Sequence, residues 1–522
     1  MAPLLTKRGL IGGAALAALA PARLRAADRP MTVVLESEVI ILDPHATTAA
    51  ITRTFGTHVF DTLFASTAAG AIRPQMVNAH TVSTDGLQWR FTLRDGLSFH
   101  DGAPVTAADC VASLQRWAPR DSLGRMLLAA GAAMTADGPR AFSIALREPF
   151  PLMLDVLGKP NAPLPVMMPA RIMAGIGEGR IKEIVGSGPF SFRADAWRPG
   201  DSMVLQRFAD YVPRPEPADF LSGGKVVHVD QVVLRAVGDD VTGANALIAG
   251  EIDYMQYLPF DLIAKLDRTP NVKLMALRGL DMFQGNFRLN HASGPFADPA
   301  IRAIMWKLVD QRETLEAIGI PARFRLDECP SYWMCGAPLS TDAGSAMAKL
   351  DIPAARAALA RTAYKNEPVI MMQVSGSISQ AAGSVLAQHM KEAGFTVEEQ
   401  VMDWGTVLAR RAKREGWSLF PVYSNGTDMA SPLNHFYISN NCADYPGWSC
   451  STAMTGLLSD FAHAPDATAR KGIAATIQEE AYRLVPSVMW GQFSRPAGYR
   501  SRLQNLAQSA YPIFWGMSLA AA

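Results

Sequence analysis

Hydrophobic and polar residues alternate along the chain in two rhythms, one typical of strands and the other of helices. In residues 88–94 a hydrophobic side chain occupies every second position, which is the period of a half-buried strand. Residues 106–118 carry hydrophobic side chains at helical spacing instead, and Thr106 is followed three residues later by Asp109, a helix-start signature. Strand-like and helix-like stretches follow one another along the chain, so the pattern predicts an α/β fold.

The same two periods predict further elements. Predicted strands lie at 31–45 (a strand and a loop), 72–95 (two strands), 139–147, 190–196, 202–208, 226–236, 368–373 and 396–402. Predicted helices lie at 52–64 (a helix that enters a short strand), 106–118, 241–250, 301–309 (an apolar helical face, with Asp298 as the expected cap), 353–362, 378–394 and 404–413. The sequence contains no internal repeat and no low-complexity linker.

The N-terminus has the pattern of a sorting signal. Lys7 and Arg8 precede the apolar stretch 9–20, which is too short to span a bilayer because a helix needs about 20 apolar residues. Small residues at possible cleavage sites follow, so residues 1–26 are predicted to be a signal peptide. The choice between the Sec and twin-arginine export routes stays open. The first cysteine is Cys110, so a lipid anchor is not expected.

Charge and composition argue against several classes of function. Removing residues 1–26 takes away four basic residues and no acidic one, which leaves 45 basic against 48 acidic residues. Neither a nucleic-acid footprint nor a polybasic membrane patch follows from that balance. The hydrophobic content of 49% excludes a largely disordered chain, and the length predicts about two or three lobes.

The five cysteines suit an oxidising compartment. Cys329 and Cys335 bound one short loop, and Cys442 and Cys450 bound another, so each pair is predicted to form a disulfide. Zinc is the competing interpretation, but no histidine accompanies either pair at ligand spacing. Cys110 lies on the hydrophobic face of its predicted helix and is expected to be a buried free thiol.

Signatures of catalysis are absent from the sequence. It contains no GxSxG, no HExxH and no GxxxxGK[ST] motif, and its nine histidines form no pair at helical metal spacing. We therefore predict a protein that is not an enzyme and that has no cofactor and no metal site. An exported hydrolase with a dispersed triad stays an alternative.

Two long motifs resemble one protein family. QWRFTLRDGLSFHDGAPVTAADC, which starts at residue 88, resembles the FxLRxGxxFHDGxPxTAxDV segment of the bacterial extracellular solute-binding proteins of family 5. Residues 281–315 resemble that family's second motif, in which either Asn286 or Asn290 takes the place of its asparagine. GSGPF at 186–190 is similar to the family's GTGPY/F turn.

The resemblance implies a fold and a domain organisation. The expected fold is α/β and two-lobed, like the large peptide-binding variant of the type II periplasmic binding proteins, with an extra N-terminal subdomain. The expected boundaries are 27–62, 186–280 and 496–522 for lobe I, 63–185 for the extra subdomain and 281–495 for lobe II.

The resemblance also implies a function. The chain is expected to be the periplasmic substrate-binding protein of an ABC importer, to capture a small solute between its lobes by hinge closure, and to deliver it to a permease in the inner membrane. A di- or oligopeptide is the leading ligand; a metal chelate, an opine or a sugar is the alternative. We expect a monomer that binds no nucleic acid. A chaperone-like protein with a methionine-rich surface is a further alternative.

Candidate ligand-binding residues follow from the same resemblance. Asp428 matches the aspartate that pairs with a ligand α-amino group in peptide-binding members; the alternative is a turn residue in a surface loop. Trp404 resembles a pocket-lining aromatic residue, and Asp403 before it is expected to cap a helix. Tyr423 and Phe283 are further candidates for the pocket wall, with core packing as the alternative for all three aromatic residues.

Two expectations concern the ends of the ligand. Arg410 or Arg411 could bind a ligand carboxylate, although solvated positions on a helix are the simpler interpretation. If Asp428 binds an ammonium group, its replacement by alanine should weaken binding by about 1.5–3 kcal/mol, the contribution of a charge-assisted hydrogen bond.

Overall fold

The computed structural model describes residues 29–435, 437–438, 442 and 446–520. The predicted signal peptide, residues 1–26, lies outside the described residues. Within the described part of the chain, every helix is too short or too polar to cross a membrane.

The structure alternates strands and helices throughout. The strands are β1 (Met31–Val34), β2 (Phe64–Ser66), β3 (Ile72–Pro74), β4 (Val77–Val82), β5 (Gln88–Leu93), β6 (Ala133–Ala136), β7 (Ala141–Ala145), β8 (Phe190–Phe192), β9 (Ser202–Arg207), β10 (Gln231–Arg235), β11 (Tyr254–Met255), β12 (Val272–Met275), β13 (Phe283–Leu289), β14 (Arg325–Leu326), β15 (Val369–Val374), β16 (Val397–Met402), β17 (Leu419–Asn425), β18 (Ser487–Phe493), β19 (Ala497–Arg500), β20 (Leu503–Gln504) and β21 (Ser518–Leu519). The helices are α1 (Ala50–Val59), α2 (Ala107–Trp117), α3 (Ser122–Ala129), α4 (Met153–Leu157), α5 (Ala170–Met173), α6 (Asp240–Ala249), α7 (Ile263–Leu266), α8 (Pro299–Ile304), α9 (Gln311–Ala317), α10 (Ile352–Leu359), α11 (Ile378–Ala393), α12 (Trp404–Arg411), α13 (Thr452–His463) and α14 (Ala467–Leu484).

A seven-stranded sheet forms the centre of the first lobe. Its strand order is β12-β19-β11-β1-β10-β9-β8, with β1 parallel to both β10 and β11. The flanking pairs are antiparallel. Three of the four residues of β1 are buried, which is the pattern of a central parallel strand covered on both faces.

A six-stranded sheet forms the centre of the second lobe. Its order is β14-β18-β13-β17-β15-β16, in which β15 runs parallel to β16 and β17 and the other pairs are antiparallel. Every residue of β13 and of β18 is buried, so these two neighbouring strands lie in the core of the lobe. All six strands come from residues 283–493, and the strands of the first sheet come from the chain before and after that segment.

The N-terminal subdomain is built on a third sheet. Strands β4, β5, β7 and β6 form an antiparallel sheet in that order, and α2 packs against it. Thr106 and Asp109 form the predicted capping box at the start of α2, with the Asp109 N–H 3.4 Å from Thr106 Oγ1. Cys110 is a free thiol in this core, as predicted, and burial raises its pKa. The domain boundaries given above remain a prediction.

Both predicted disulfides are present, Cys329–Cys335 and Cys442–Cys450. The second closes a loop of which only some residues are described.

Several predicted elements differ from the structure. The strand predicted over 190–196 ends at Phe192 and is followed by a 3-10 turn, Ala194–Ala196. The strand predicted over 226–236 begins only at Gln231. Residues 301–309 were expected to continue as one helix, but α8 ends at Ile304 and Met305–Lys307 form a 3-10 turn. The buried side chains of Met305 and Trp306 fill the core of the second lobe there, so tertiary packing sets the end of the helix.

Candidate functional site

A cavity of about 900 Å³ lies between the N-terminal subdomain and the second lobe. Its floor is the turn 278–281, where the chain passes from the first sheet to the second. The side walls come from the segments 66–72 and 152–161 of the subdomain and from 333–339, 427–434 and 461–471 of the second lobe. Phe220 and Gln508 of the first lobe also line it. The cavity is therefore formed where separate parts of the fold meet, which is a common position for a small-molecule site.

The walls are mainly apolar. Aliphatic and aromatic side chains from both sides face the cavity: Leu123, Leu152, Val156, Leu280, Leu339, Leu433 and Phe461. An apolar wall with a few fixed polar groups is typical of pockets that bury most of a small ligand. The polar groups then decide which ligand orientation is stable.

Two basic residues of the wall are already paired with acids. Lys159 forms a buried ion pair with Asp121. Burial lowers the pKa of Lys159, and Asp121 opposes that shift. Arg470 of α14 lies 3.7 Å from Asp155 of α4, so this ion pair links the second lobe to the subdomain across the cavity.

Two further basic side chains, Arg278 and Lys471, line the cavity without an ion pair among the described residues. Both are exposed.

Asp281 is the acid of the wall that lacks a basic partner among the described residues. Its Oδ1 accepts a hydrogen bond from the backbone N–H of Ala510 at 3.0 Å. Burial raises the pKa of Asp281 to about 6, and this one hydrogen bond offsets only part of the effect. Near neutral pH, Asp281 therefore carries a negative charge that the protein stabilises poorly.

Asp428 lies beside the cavity, next to the wall residue Thr427, and is bound by the first lobe. Arg53 Nη1 of α1 donates to Asp428 Oδ1 at 2.6 Å, and the Tyr511 hydroxyl donates to the same oxygen at 3.3 Å. The guanidinium carbon of Arg53 lies 3.6 Å from the centre of the Tyr511 ring. Arg53 is 5% exposed and Asp428 is 23% exposed, so the pair is largely withdrawn from water.

The ionisation of this pair follows from its surroundings. Burial alone lowers the pKa of Arg53, but the nearby Asp428 carboxylate raises it above its ordinary value. Burial also raises the pKa of the Tyr511 hydroxyl well above its ordinary value. The guanidinium is charged, and the hydroxyl is a neutral donor to Asp428.

Trp404 lies away from the cavity, at the start of α12, where it is 42% exposed. The Arg411 guanidinium carbon is 5.3 Å from the centre of its ring. Asp403 caps the helix as predicted, with its Oδ1 2.9 Å from the Thr406 N–H. A contact between Trp404 and ligand remains a prediction.

Phe283 and Tyr423 belong to an aromatic cluster where the lobes meet. Phe283 is 6% exposed, and its ring centre lies 5.6 Å from those of Tyr423 and Tyr257 and 5.8 Å from that of Phe493. Tyr423 is half-buried. This packing provides a core role for Phe283, and ligand contact by either residue remains a prediction.

The two arginines and two asparagines left open by the sequence occupy different surroundings. Arg410 donates to the backbone carbonyl of Gly416 at 2.7 Å. Asn290 is buried and donates to the carbonyls of Arg414 and Trp417, both at 3.0 Å. Asn286 is also buried, and its closest polar partners lie at 3.4 to 3.5 Å. Asn290 thus fixes the loop before β17.

Sequence reasoning missed Arg53 and Asp281. One signal for Arg53 was available: it is the single charged residue in the helix AITRTFGTHV, of which nine residues are buried. A charge on such a helix requires a partner. For Asp281 the sequence showed only that it stands just before the strand β13. Its partner Ala510 lies 229 residues later in the sequence, so no local pattern indicates their contact.

Comparison with known proteins gives a consistent family. A family model described as "Bacterial extracellular solute-binding proteins, family 5 Middle" matches residues 71–447. The chain is 34% identical over 537 residues to the "Probable peptide ABC transporter periplasmic-binding protein y4tO" of Sinorhizobium fredii, and the match covers 99% of each chain.

Solved structures share the fold at lower identity. The binding protein AgaA from A. tumefaciens R10, in complex with agropinic acid, has a TM-score of 0.79 and 20% identity, over 95% of this chain and 99% of its own. DppA from Helicobacter pylori, in complex with the peptide STSA, has a TM-score of 0.76 and 19% identity, over 94% of this chain and 98% of its own. Both support the two-lobed fold.

Proposed function

The chain belongs to the bacterial extracellular solute-binding proteins of family 5, and on that premise we propose that it captures a di- or oligopeptide in the periplasm for an ABC importer. Members of this family are transport components and not enzymes, so the hydrolase alternative is not retained. Export by a cleaved signal peptide, delivery to a permease in the inner membrane and a monomeric state belong to this proposal.

One observation carries the proposal: the cavity of about 900 Å³ that residues of the N-terminal subdomain and the second lobe enclose. Its size lies in the range of about 300–1,000 Å³ that is usual for pockets binding small molecules. The wall combines apolar surface with one acid, Asp281, and two bases, Arg278 and Lys471, that form no ion pair among the described residues. A short peptide has the matching chemistry, with a cationic end, an anionic end and side chains of varied polarity.

A second ligand class is favoured by a specific comparison. The structural neighbour AgaA binds agropinic acid, an opine, so the same architecture holds a ligand that is not a peptide. An opine or another carboxylate-rich solute is therefore the second candidate, for which Arg278 and Lys471 would be the natural partners.

Native mass spectrometry of the protein purified from the periplasm without denaturation tests the function. A tightly bound ligand survives purification, since ligand at 100 times its dissociation constant stabilises the bound form by about 2.7 kcal/mol. We expect a discrete adduct whose fragments are amino-acid residues.

An opine adduct would replace the peptide proposal with the second candidate. A mass without adduct leads to a thermal-shift screen of tri- and tetrapeptides, opines, sugars and metal chelates. A stabilising peptide in that screen would support the proposal, and stabilisation by another class alone would contradict it.

A further inference from the structure

The carboxylates around the cavity differ in whether a base already neutralises them. Asp155 is paired with Arg470 across the cavity, and Asp428 beside it is paired with Arg53. Asp281 has no basic partner among the described residues and lines the same cavity. Of these three acids, it is the one whose charge remains to be compensated.

The position of Asp281 is fixed by its neighbours. It ends the turn Gly279–Asp281, its own backbone carbonyl accepts from Asn425 Nδ2 at 3.1 Å, and its Oδ1 accepts from the Ala510 N–H at 3.0 Å. The turn Gly426–Met429 packs directly against this one. The Ala510 N–H thus holds the carboxylate at the floor of the cavity, and the Asn425 amide holds the backbone of the turn.

Charged and titratable groups near this floor come from four segments. The subdomain contributes Lys159, which lies near Asp428 and Arg53 but is paired with Asp121. The turn itself contributes Arg278, the neighbouring turn contributes Asp428, and the C-terminal segment contributes Tyr511. Arg278 is exposed and makes no ion pair with Asp281. Asp428 is bound to Arg53, and Tyr511 is neutral, so none of these groups supplies a counter-charge.

We propose that Asp281, and not Asp428, binds the cationic amino group of the ligand, and that Arg53 determines this choice by occupying Asp428. The inference rests on the proposed function, because it assumes a ligand with an α-ammonium group. It makes Asp281 a specificity-determining residue and Arg53 a residue that acts through Asp428.

The energetic reason for this choice lies in what a ligand ammonium group would displace at each of the two aspartates. An ammonium group that binds Asp428 competes with Arg53 for the carboxylate. The Arg53 guanidinium is only 5% exposed, and losing its partner is costly because its buried charge is then unpaired. An ammonium group that binds Asp281 displaces no base among the residues that the structure describes. It provides the missing counter-charge for a carboxylate that burial destabilises.

The test compares two probes on the full chain by isothermal titration calorimetry. The probes are tetraalanine and N-acetyl-tetraalanine, which differ in the ammonium group. We expect the wild-type protein to bind tetraalanine at least tenfold more tightly, the effect of one charge-assisted hydrogen bond. Asp281→Asn should abolish that preference, and its amide oxygen can still accept from the Ala510 N–H.

Two variants serve as controls. Asp155→Asn removes a carboxylate from the same cavity wall that is already paired, and it should keep the tenfold preference. Asp428→Asn should also keep the preference, even if its overall affinity for both probes falls. Thermal melting verifies that each variant is folded; if Asp428→Asn is not, the comparison of the other two variants decides.

Three results separate this inference from the proposed function. A preference that persists in Asp281→Asn would overturn the inference and leave the function intact. A preference that is lost in Asp428→Asn and kept in Asp281→Asn would assign the ammonium group to Asp428. Failure of the wild-type protein to bind either probe, or any other peptide of the thermal-shift screen, would overturn the peptide function and the inference with it.

Discussion

Two aspartates of this chain show how surroundings set the ionisation of one side chain. Asp403 is exposed and accepts hydrogen bonds from the hydroxyl and the backbone N–H of Thr406, which lower its pKa. Asp281 accepts one backbone hydrogen bond, and burial raises its pKa to about 6. The folded structure therefore stabilises the negative charge of Asp403 and destabilises that of Asp281.

The elevated pKa of Asp281 predicts a pH dependence of stability. An unfolded aspartate titrates near 3.8, so the folded state binds more protons than the unfolded state between about pH 4 and pH 6. The free energy of unfolding should therefore fall as the pH rises through that window, by up to about 3 kcal/mol for a shift of two pKa units. The variant Asp281→Asn has no carboxyl group to titrate at this position, so its free energy of unfolding should not fall in this way. It should therefore be more stable than the wild type at pH 7.

Urea unfolding of both proteins at pH 4 and pH 7 measures this difference. The gain in stability of Asp281→Asn over the wild type should be near zero at pH 4 and largest at pH 7. Equal gains at both pH values would show that Asp281 is ordinarily solvated.

At the scale of elements, local signals in the sequence located most of the fold. The capping box at Thr106, the caps at Asp298 and Asp403, and the Gly394 end of α11 mark helix boundaries within about two residues of the structure. These signals involve residues that are close in sequence, so they can be recognised from a single sequence. Where α8 ends depends on core packing around Trp306, which no local pattern contains.

The candidate site was less predictable because its contacts are remote in sequence. Arg53 and Asp428 are 375 residues apart, and Asp281 and Ala510 are 229 residues apart. The resemblance indicated Asp428 but not the base that binds it. A motif shows which residue type stands at a position. Whether that residue's charge is neutralised depends on the side chains that the tertiary structure brings next to it.

The contact between α1 and the turn 186–190 provides a test at the element scale. A Cβ added at Gly188 would lie 2.5 Å from the carbonyl oxygen of His58 and 2.7 Å from the carbonyl carbon of Val59. Both are backbone atoms, so neither can move aside without shifting α1. Gly188→Ala should therefore lower the free energy of unfolding by about 1–3 kcal/mol, the usual cost of overpacking.

A second glycine supplies the control for this effect. Among the described residues, apart from its chain neighbours, none has a heavy atom within 4 Å of a Cβ added at Gly238. Gly238→Ala should therefore change stability by less than about 0.5 kcal/mol. The midpoints of urea unfolding compare the two variants. Similar midpoints would mean that the turn and α1 separate easily and that the close approach does not constrain the fold.

At the scale of the whole molecule, ion pairs join parts that a hinge motion would separate. Arg53 of the first lobe binds Asp428 of the second, and Arg470 of the second lobe binds Asp155 of the N-terminal subdomain. The first pair is the more buried and the shorter, at 2.6 Å against 3.7 Å. Contacts that exist only when the lobes are together shift the equilibrium towards that arrangement.

The Arg53–Asp428 pair is therefore expected to hold the lobes together even without ligand. Asp428→Asn weakens a charge-assisted hydrogen bond, so it should cost the closed arrangement about 1.5–3 kcal/mol, or a factor of at least ten in its population. Small-angle X-ray scattering of the protein without ligand should then show a larger radius of gyration for Asp428→Asn than for the wild type. Adding a ligand that binds both lobes should reduce the difference.

Glu251→Gln is the matched control, because it weakens the Arg235–Glu251 pair at 3.3 Å, which lies within the first lobe. That variant should leave the radius of gyration unchanged. Equal values for all three proteins would mean that packing alone, including the aromatic cluster around Phe283, holds the lobes in contact. An increase restricted to Asp428→Asn would assign Asp428 to lobe closure.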